Sequence, residues 1–78
     1  MNKLVLISGS SRGLGAAMAK SFSEAGYKVA INYFKSEKEA KSLSESLPSQ
    51  SHIFKCDVSS KDDVDSMLES IKEEFGYH

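Results

Sequence analysis

The chain has little of several things. Among 78 residues there is one cysteine, Cys56, and no tryptophan. A lone cysteine excludes an internal disulfide and suits a reducing compartment. No charge of one sign dominates: 10 Lys and Arg against 11 Asp and Glu leave a net charge of −1 and a pI of about 6.1. That balance leaves no basic footprint for nucleic acid or an anionic membrane. Long apolar runs are missing too. The N-terminal run at residues 4–7 is shorter than the roughly 7–15 residues of a signal-peptide core. Nothing approaches the ~20 apolar residues of a membrane span. The expectation is a soluble, cytoplasmic protein. His52, His78 and Cys56 come with no second cluster of ligands, so no metal site is expected. A chain this short forms one domain, and its apolar core supplies ~3–5 kcal/mol of net stability.

What is present is ordered. Apolar runs recur at "KLVLIS" (3–8), "KVAINY" (28–33) and "HIFKCDV" (52–58). They are too short for helices, and their near-continuous apolar character suits parallel strands covered on both faces. Helical patterns lie between and after them. Leu14, Ala17, Met18, Phe22 and Ala25 share one face, with Gly26 as C-terminal cap. Ser36 and Glu39 form a capping box ahead of Ala40, Leu43 and Leu47, and Pro48 marks the stop. Ser60 caps a last helix with Val64, Met67, Leu68, Ile71 and Phe75 on its inner face, closed by Gly76. Asp62, Asp63 and Asp65 favour the positive end of that helix and make no metal cage. Strand-to-strand steps of about 24 residues imply right-handed crossovers and parallel pairing. The fold class is therefore α/β: a βαβαβα half of a Rossmann doubly wound sheet with strand order 3-2-1.

The first strand leads into "SGSSRGLG" (8–15), where Gly9, Gly13 and Gly15 crowd into seven residues. A helix N-terminus presents unpaired N–H groups and about half a positive charge, which attract phosphate. Gly9 lets the chain turn off the strand, Gly13 leaves room for a pyrophosphate, and Gly15 lets the helix approach the sheet. The spacing departs from G-x-G-x-x-G, because Met18 stands where Gly or Ala is needed. It also departs from the P-loop, because Ala19 precedes Lys20. A plain tight turn is the bland alternative. A flavodoxin-like or receiver-like domain needs no three glycines here.

These residues resemble the short-chain dehydrogenase/reductase family. "SGSSRGLG" is similar to its T-G-x-x-x-G-x-G cofactor loop, with Ser8 in place of Thr. "AINY" (30–33) and "DV" (57–58) resemble the second and third strand ends of its 3-oxoacyl-acyl-carrier-protein reductase branch. The resemblance spans the whole chain. It implies that Gly9, Ser11, Arg12, Gly13, Leu14 and Gly15 hold the pyrophosphate and adenosine ribose. It also implies that Asp57 bonds the adenine amino group, with Val58 beside the ring. A loop carboxylate in an Asx turn is the alternative for Asp57.

An NAD site usually places an acid at the end of the second strand, on the ribose 2′-hydroxyl. Here Asn32, Tyr33 and Phe34 stand in that region, and the first acid, Glu37, belongs to the next helix's first turn. Arg12, Lys35 and Ser36 are available to a 2′-phosphate, and Arg suits it through its two-pronged fork. The sequence thus favours NADP(H) over NAD(H). The bland reading is that Arg12 and Lys35 are solvated surface charges.

The family's Tyr-x-x-x-Lys pair is not found. Tyr27 leads to Ile31, Tyr33 leads to Glu37, and Tyr77 is one residue from the end. The expectation is a cofactor-binding portion of a longer reductase, its catalytic residues lying beyond position 78. Implied partners are a nicotinamide dinucleotide, an acyl-carrier-protein-linked or small carbonyl substrate, and further copies of the chain, since family members are often tetramers. A first strand without a neighbour on one side invites self-association. A nucleotide-binding module or redox sensor lacking hydride chemistry is the alternative function.

Overall fold

The three apolar runs form strands, because Val, Ile and Phe suit a pleated surface, and the central run, KVAINY, buries both its faces between covering helices. The computed structural model describes residues 3–8 and 14–76. Its elements are β1 (Leu4–Ser8), α1 (Leu14–Glu24), β2 (Lys28–Tyr33), α2 (Glu37–Ser46), β3 (Ser51–Lys55) and α3 (Lys61–Phe75). The strands are parallel in one sheet, in the order β1-β2-β3, which is the expected 3-2-1 half-sheet seen from its other edge. β2 is central, and Val29, Ala30 and Ile31 within it are fully buried.

Alternation along β2 divides the core in two. Val29 and Ile31 join Ile7, Ala19, Ala40 and Leu47 on the face covered by α1 and α2. Ala30 joins Phe54, Cys56, Met67, Ile71 and Phe75 under α3. Fully burying a side chain such as Ile31 or Val29 contributes roughly 1.5–3 kcal/mol.

Several expectations shift. β3 ends at Lys55 and not at Val58, so Asp57 and Val58 stand on the loop beyond it. The inner face of α1 is rotated: Ala19 and Ser23 are buried, Phe22 is half-buried, and Ala17, Ala25 and Met18 (44% exposed) face outward. Small residues let α1 lie close to the sheet, and Ser23 can be buried because its hydroxyl is bonded to Ser49 at 2.6 Å. Leu68 is 44% exposed as well, whereas Met67, Ile71 and Phe75 are inside. The capping box at Ser36 does not form, since that side chain makes no cap hydrogen bond. Ser60 does cap α3, accepting from Asp63 N–H at 3.3 Å. Gly26 (φ 93°) and Gly76 (φ 78°) close α1 and α3 in the left-handed region that side chains disfavour.

Hydrogen-bond phase fixes what each sheet edge presents. Lys28 N–H donates to the Lys3 carbonyl at 2.7 Å. Lys3, Val5 and Ile7 therefore turn their backbone toward β2, and Leu4, Leu6 and Ser8 turn theirs outward. Val29 N–H donates to Gln50 O, and Cys56 N–H donates to Tyr33 O. The outer backbone of β3 is thus that of Ser51, Ile53 and Lys55. Exposed Lys55, together with a Ser51 side chain tied to Ser44, blunts this edge. The β1 edge has no such guard among the described residues, and Leu6 is 41% exposed there.

Candidate functional site

In open parallel sheets ligands lie outside the carboxyl ends of the strands, and three stretches of sequence follow those ends here. They are residues 9–13 after β1, 34–36 after β2 and 56–60 after β3. Gly9, Ser11, Arg12 and Gly13 lie outside the described residues. Leu14 opens α1 and Gly15, in its first turn, is half-buried.

The side chain at the centre of the strand ends is Asn32. It is 3% exposed. Its Oδ1 accepts from Ser8 Oγ at 2.9 Å. Its Nδ2 donates to the carbonyls of Phe54 (3.3 Å), Cys56 (3.2 Å) and Tyr33 (3.4 Å). Both ends of the carboxamide are therefore engaged within the sheet, below the rim where a ligand would rest. The sequence named Asn32 as a residue of the site, but Ser8 only as a variant of the family's Thr. The pairing was visible in principle, because Ser8 and Asn32 are register partners at the polar ends of two apolar strands.

Tyr33 is half-buried against the core under α1 and α2. Burial is the main cause that raises its pKa, and the nearby Glu37 carboxylate adds to it. Glu37 is the first residue of α2, where an acid favours the helix start. Lys35 is exposed, with Nζ 6.0 Å from the Phe34 ring centre, and Ser36 is half-buried. The structure thus places a free cation, and no free carboxylate, on the described segment just after β2.

Asp57 adopts the Asx turn weighed for it. Its Oδ1 accepts from Ser59 N–H (3.0 Å) and Ser59 Oγ (2.6 Å). These bonds hold its carboxyl below the ordinary carboxylate range. Asp57 N–H donates to Asp63 Oδ2 at 3.3 Å, which ties the loop to the first turn of α3. Val58 is 60% exposed. An exposed valine beside an ordered carboxylate is free to meet a flat apolar ring, though the local bonds take one of the two Asp57 oxygens.

Cys56 is 1% exposed, and burial, with Asp63 and Asp57 nearby, pushes its thiol upward. His52 lies on β3, edge-on to Phe75 at 5.0 Å and 3.9 Å from Glu74 Oε2. No group of three or more metal-ligating side chains exists among the described residues. A groove of about 540 Å³ runs between β3 and α3 past His52, Phe54, Ser66 and Glu74. It follows the outer side of β3, away from Ser8 and Gly15, so its size does not make it the nucleotide site. None of the described helices is long and apolar enough to cross a membrane.

Comparison with known proteins agrees with this geometry. Residues 9–77 match the family model described as enoyl-(acyl carrier protein) reductase. The 3-oxoacyl-[acyl-carrier-protein] reductase FabG of Staphylococcus epidermidis is 34% identical over 79 residues, covering 97% of this chain and 32% of the relative. The FabG of Staphylococcus aureus is 33% identical over the same share. A dehydrogenase/reductase from Sinorhizobium meliloti superposes with a TM-score of 0.89 at 23% identity, over 95% of this chain and 31% of that one. The chain spans about a third of the length of the curated relatives it matches.

Proposed function

The chain belongs to the short-chain dehydrogenase/reductase family, and from that premise we propose that it is the NADP(H)-binding portion of a reductase. The reaction is hydride transfer between the nicotinamide and a carbonyl or alcohol, with 3-oxoacyl thioesters on acyl carrier protein as the leading substrate class. The observation that carries this reading is the alignment of three parallel strand ends, joined at Asn32, with the first of them followed in sequence by the glycine-bearing stretch that precedes α1. The bound dinucleotide supplies the hydride. The chain's own residues bind and orient it. Gly9, Ser11, Gly13, Leu14 and Gly15 offer main-chain N–H groups to the pyrophosphate. Asp57 and Val58 receive the adenine.

The preference for a 2′-phosphate rests on charge. Asn32 fills the strand-end position where NAD sites carry an acid, and it is buried and uncharged. The next acid, Glu37, lies past the loop, in the first turn of α2. Arg12, Lys35 and Ser36 remain for the phosphate, with Arg12 as its two-pronged donor. Titration of the full-length protein should give a lower Kd for NADPH than for NADH. Arg12→Ala should weaken NADPH by at least about tenfold and change NADH little, as loss of a charge-assisted hydrogen bond predicts. Equal affinity for the two dinucleotides, or tighter NADH, would rule the assignment out.

A second reading is a nucleotide-binding module without hydride chemistry. NADPH consumption with a 3-oxoacyl thioester separates the two: turnover by the full-length protein supports the reductase, and tight binding without turnover supports the module.

A further inference from the structure

We propose that Asn32 is a positioning residue: its carboxamide sets the spacing of the three strand ends, and through that spacing the dinucleotide affinity, without touching the ligand. The inference rests on the reading of the strand ends as a nucleotide site. One side chain makes contacts to all three strands. Its Oδ1 accepts a hydrogen bond from the Ser8 hydroxyl, on the last residue of β1, and its Nδ2 donates to the carbonyls of Phe54 on β3 and of Cys56 just beyond it. Backbone bonds join the strand tips only two at a time: Ser8 is in register with Asn32, and Cys56 N–H donates to the Tyr33 carbonyl at 2.8 Å. The last paired residues of β2 and β3 are Tyr33 and Lys55, so the Cys56 carbonyl lies one step past the ladder. Asn32 Nδ2 supplies the donor that carbonyl would otherwise lack.

The consequence is mechanical. Ser8 is the root of the segment that carries Gly9 and Gly13, and Cys56 is the root of the segment that carries Asp57 and Val58. A single buried amide thus braces both roots at once, across the parts of the site that would hold pyrophosphate and adenine. An acid at this position could accept from Ser8 but could not donate to the Phe54 and Cys56 carbonyls, so burying one would leave three oxygens facing each other unpaired. Asparagine serves here as a residue that both donates and accepts, and its place at the strand end does not require it to meet a ribose.

The test uses Asn32→Ala, Asn32→Leu and the milder Ser8→Ala in the full-length protein, none of which adds a charge beside the 2′-phosphate, with Ile71→Val as a control that loosens the core away from the strand ends. Kd for NADPH and for NADH, thermal stability and amide hydrogen exchange are measured on each. Asn32→Ala and Asn32→Leu should raise both Kd values by the same factor, about tenfold, because misplacing the loop roots by a fraction of an ångström weakens every contact mounted on them. Ser8→Ala should raise both by a smaller common factor. Without ligand, exchange should quicken at residues 8–15 and 56–59 in these variants, and in Ile71→Val it should not. Unequal factors for the two dinucleotides would mean direct ribose contact and overturn the proposal. So would lower thermal stability with unchanged Kd and unchanged exchange at those segments. A wild-type protein that binds neither dinucleotide would overturn the reading of the site, while the ligand-free exchange would still decide whether Asn32 clamps the strand ends. If the Asn32 variants do not fold, Ser8→Ala decides by the same criteria.

Discussion

Ser23 and Ser49 meet hydroxyl to hydroxyl at 2.6 Å, joining the last turn of α1 to the loop that enters β3. The Ser49 hydroxyl donates onward to the Tyr27 carbonyl at 2.5 Å, and Ser49 N–H donates to Ser23 Oγ at 3.0 Å. Each polar atom at this contact has a partner, which is why Ser23 can be 3% exposed. Ser23→Ala keeps the small volume but leaves the Ser49 N–H without its acceptor. The expected cost is about 1–3 kcal/mol, read as a lower urea midpoint with an unchanged slope. In a domain with ~3–5 kcal/mol in total, that change is large. A loss below the error of the measurement would show that water replaces the bond.

The same contact marks where the sequence could and could not be read. Strand positions, their parallel pairing and their order followed from three apolar runs and their spacing, because burial on both faces leaves no polar alternation to misread. The inner face of α1 did not follow. Apolarity pointed to Ala17, Met18 and Ala25, yet the sheet lies so close that Ala19 and Ser23 are the residues inside. A serine whose partner is 26 positions away carries no local signal. At the site, Asn32 was legible as a non-acid at a strand end. That its amide would be spent on Ser8, Phe54 and Cys56 depends on strand register, which appears only when the chain is folded.

Two serines with the same sequence signature give opposite expectations. Ser60 accepts from Asp63 N–H, whereas Ser36 makes no side-chain cap. Ser60→Ala should cost about 1 kcal/mol, and Ser36→Ala should cost a few tenths at most. Thermal unfolding of the two variants side by side checks this. Equal losses would mean that Ser36 caps α2 in solution after all.

The response to alkali has a defined sign. Burial raises Cys56 above its ordinary value of 9.0, and burial with Glu37 raises Tyr33 above 10.0. Both groups bind their protons more tightly in the folded chain. Their contribution is complete below pH 9 and is lost as pH rises through the raised values. Cys56→Ala should remove the earlier part of that loss, leaving the part that begins with Tyr33. At the acid end the sign reverses. Asp57 lies below its ordinary 3.8, so its contribution holds above that pH and fades as pH falls through the lowered value. Asp57→Asn should flatten that limb. Stability curves measured against pH for the three proteins decide each case.

The open side of β1 makes the last expectation. Leu4, Leu6 and Ser8 turn their backbone groups outward, and these find no neighbouring strand among the described residues. Leu6 is 41% exposed beside them, and no Lys or Pro interrupts the run from Leu4 to Ser8. β3 differs, since Lys55 sits on its edge and Ser51 is tied back to Ser44. An unguarded apolar edge pairs with another strand when one is within reach. At a net charge of −1, little repulsion opposes a second copy. Light scattering on the 78-residue chain should therefore give a mass above that of the monomer, rising with concentration. Leu6→Lys places a charge on the exposed edge and should move the distribution toward monomer without loss of helix content. A wild-type chain that stays a folded monomer across the concentration range would show that the β1 edge is protected by means other than strand pairing.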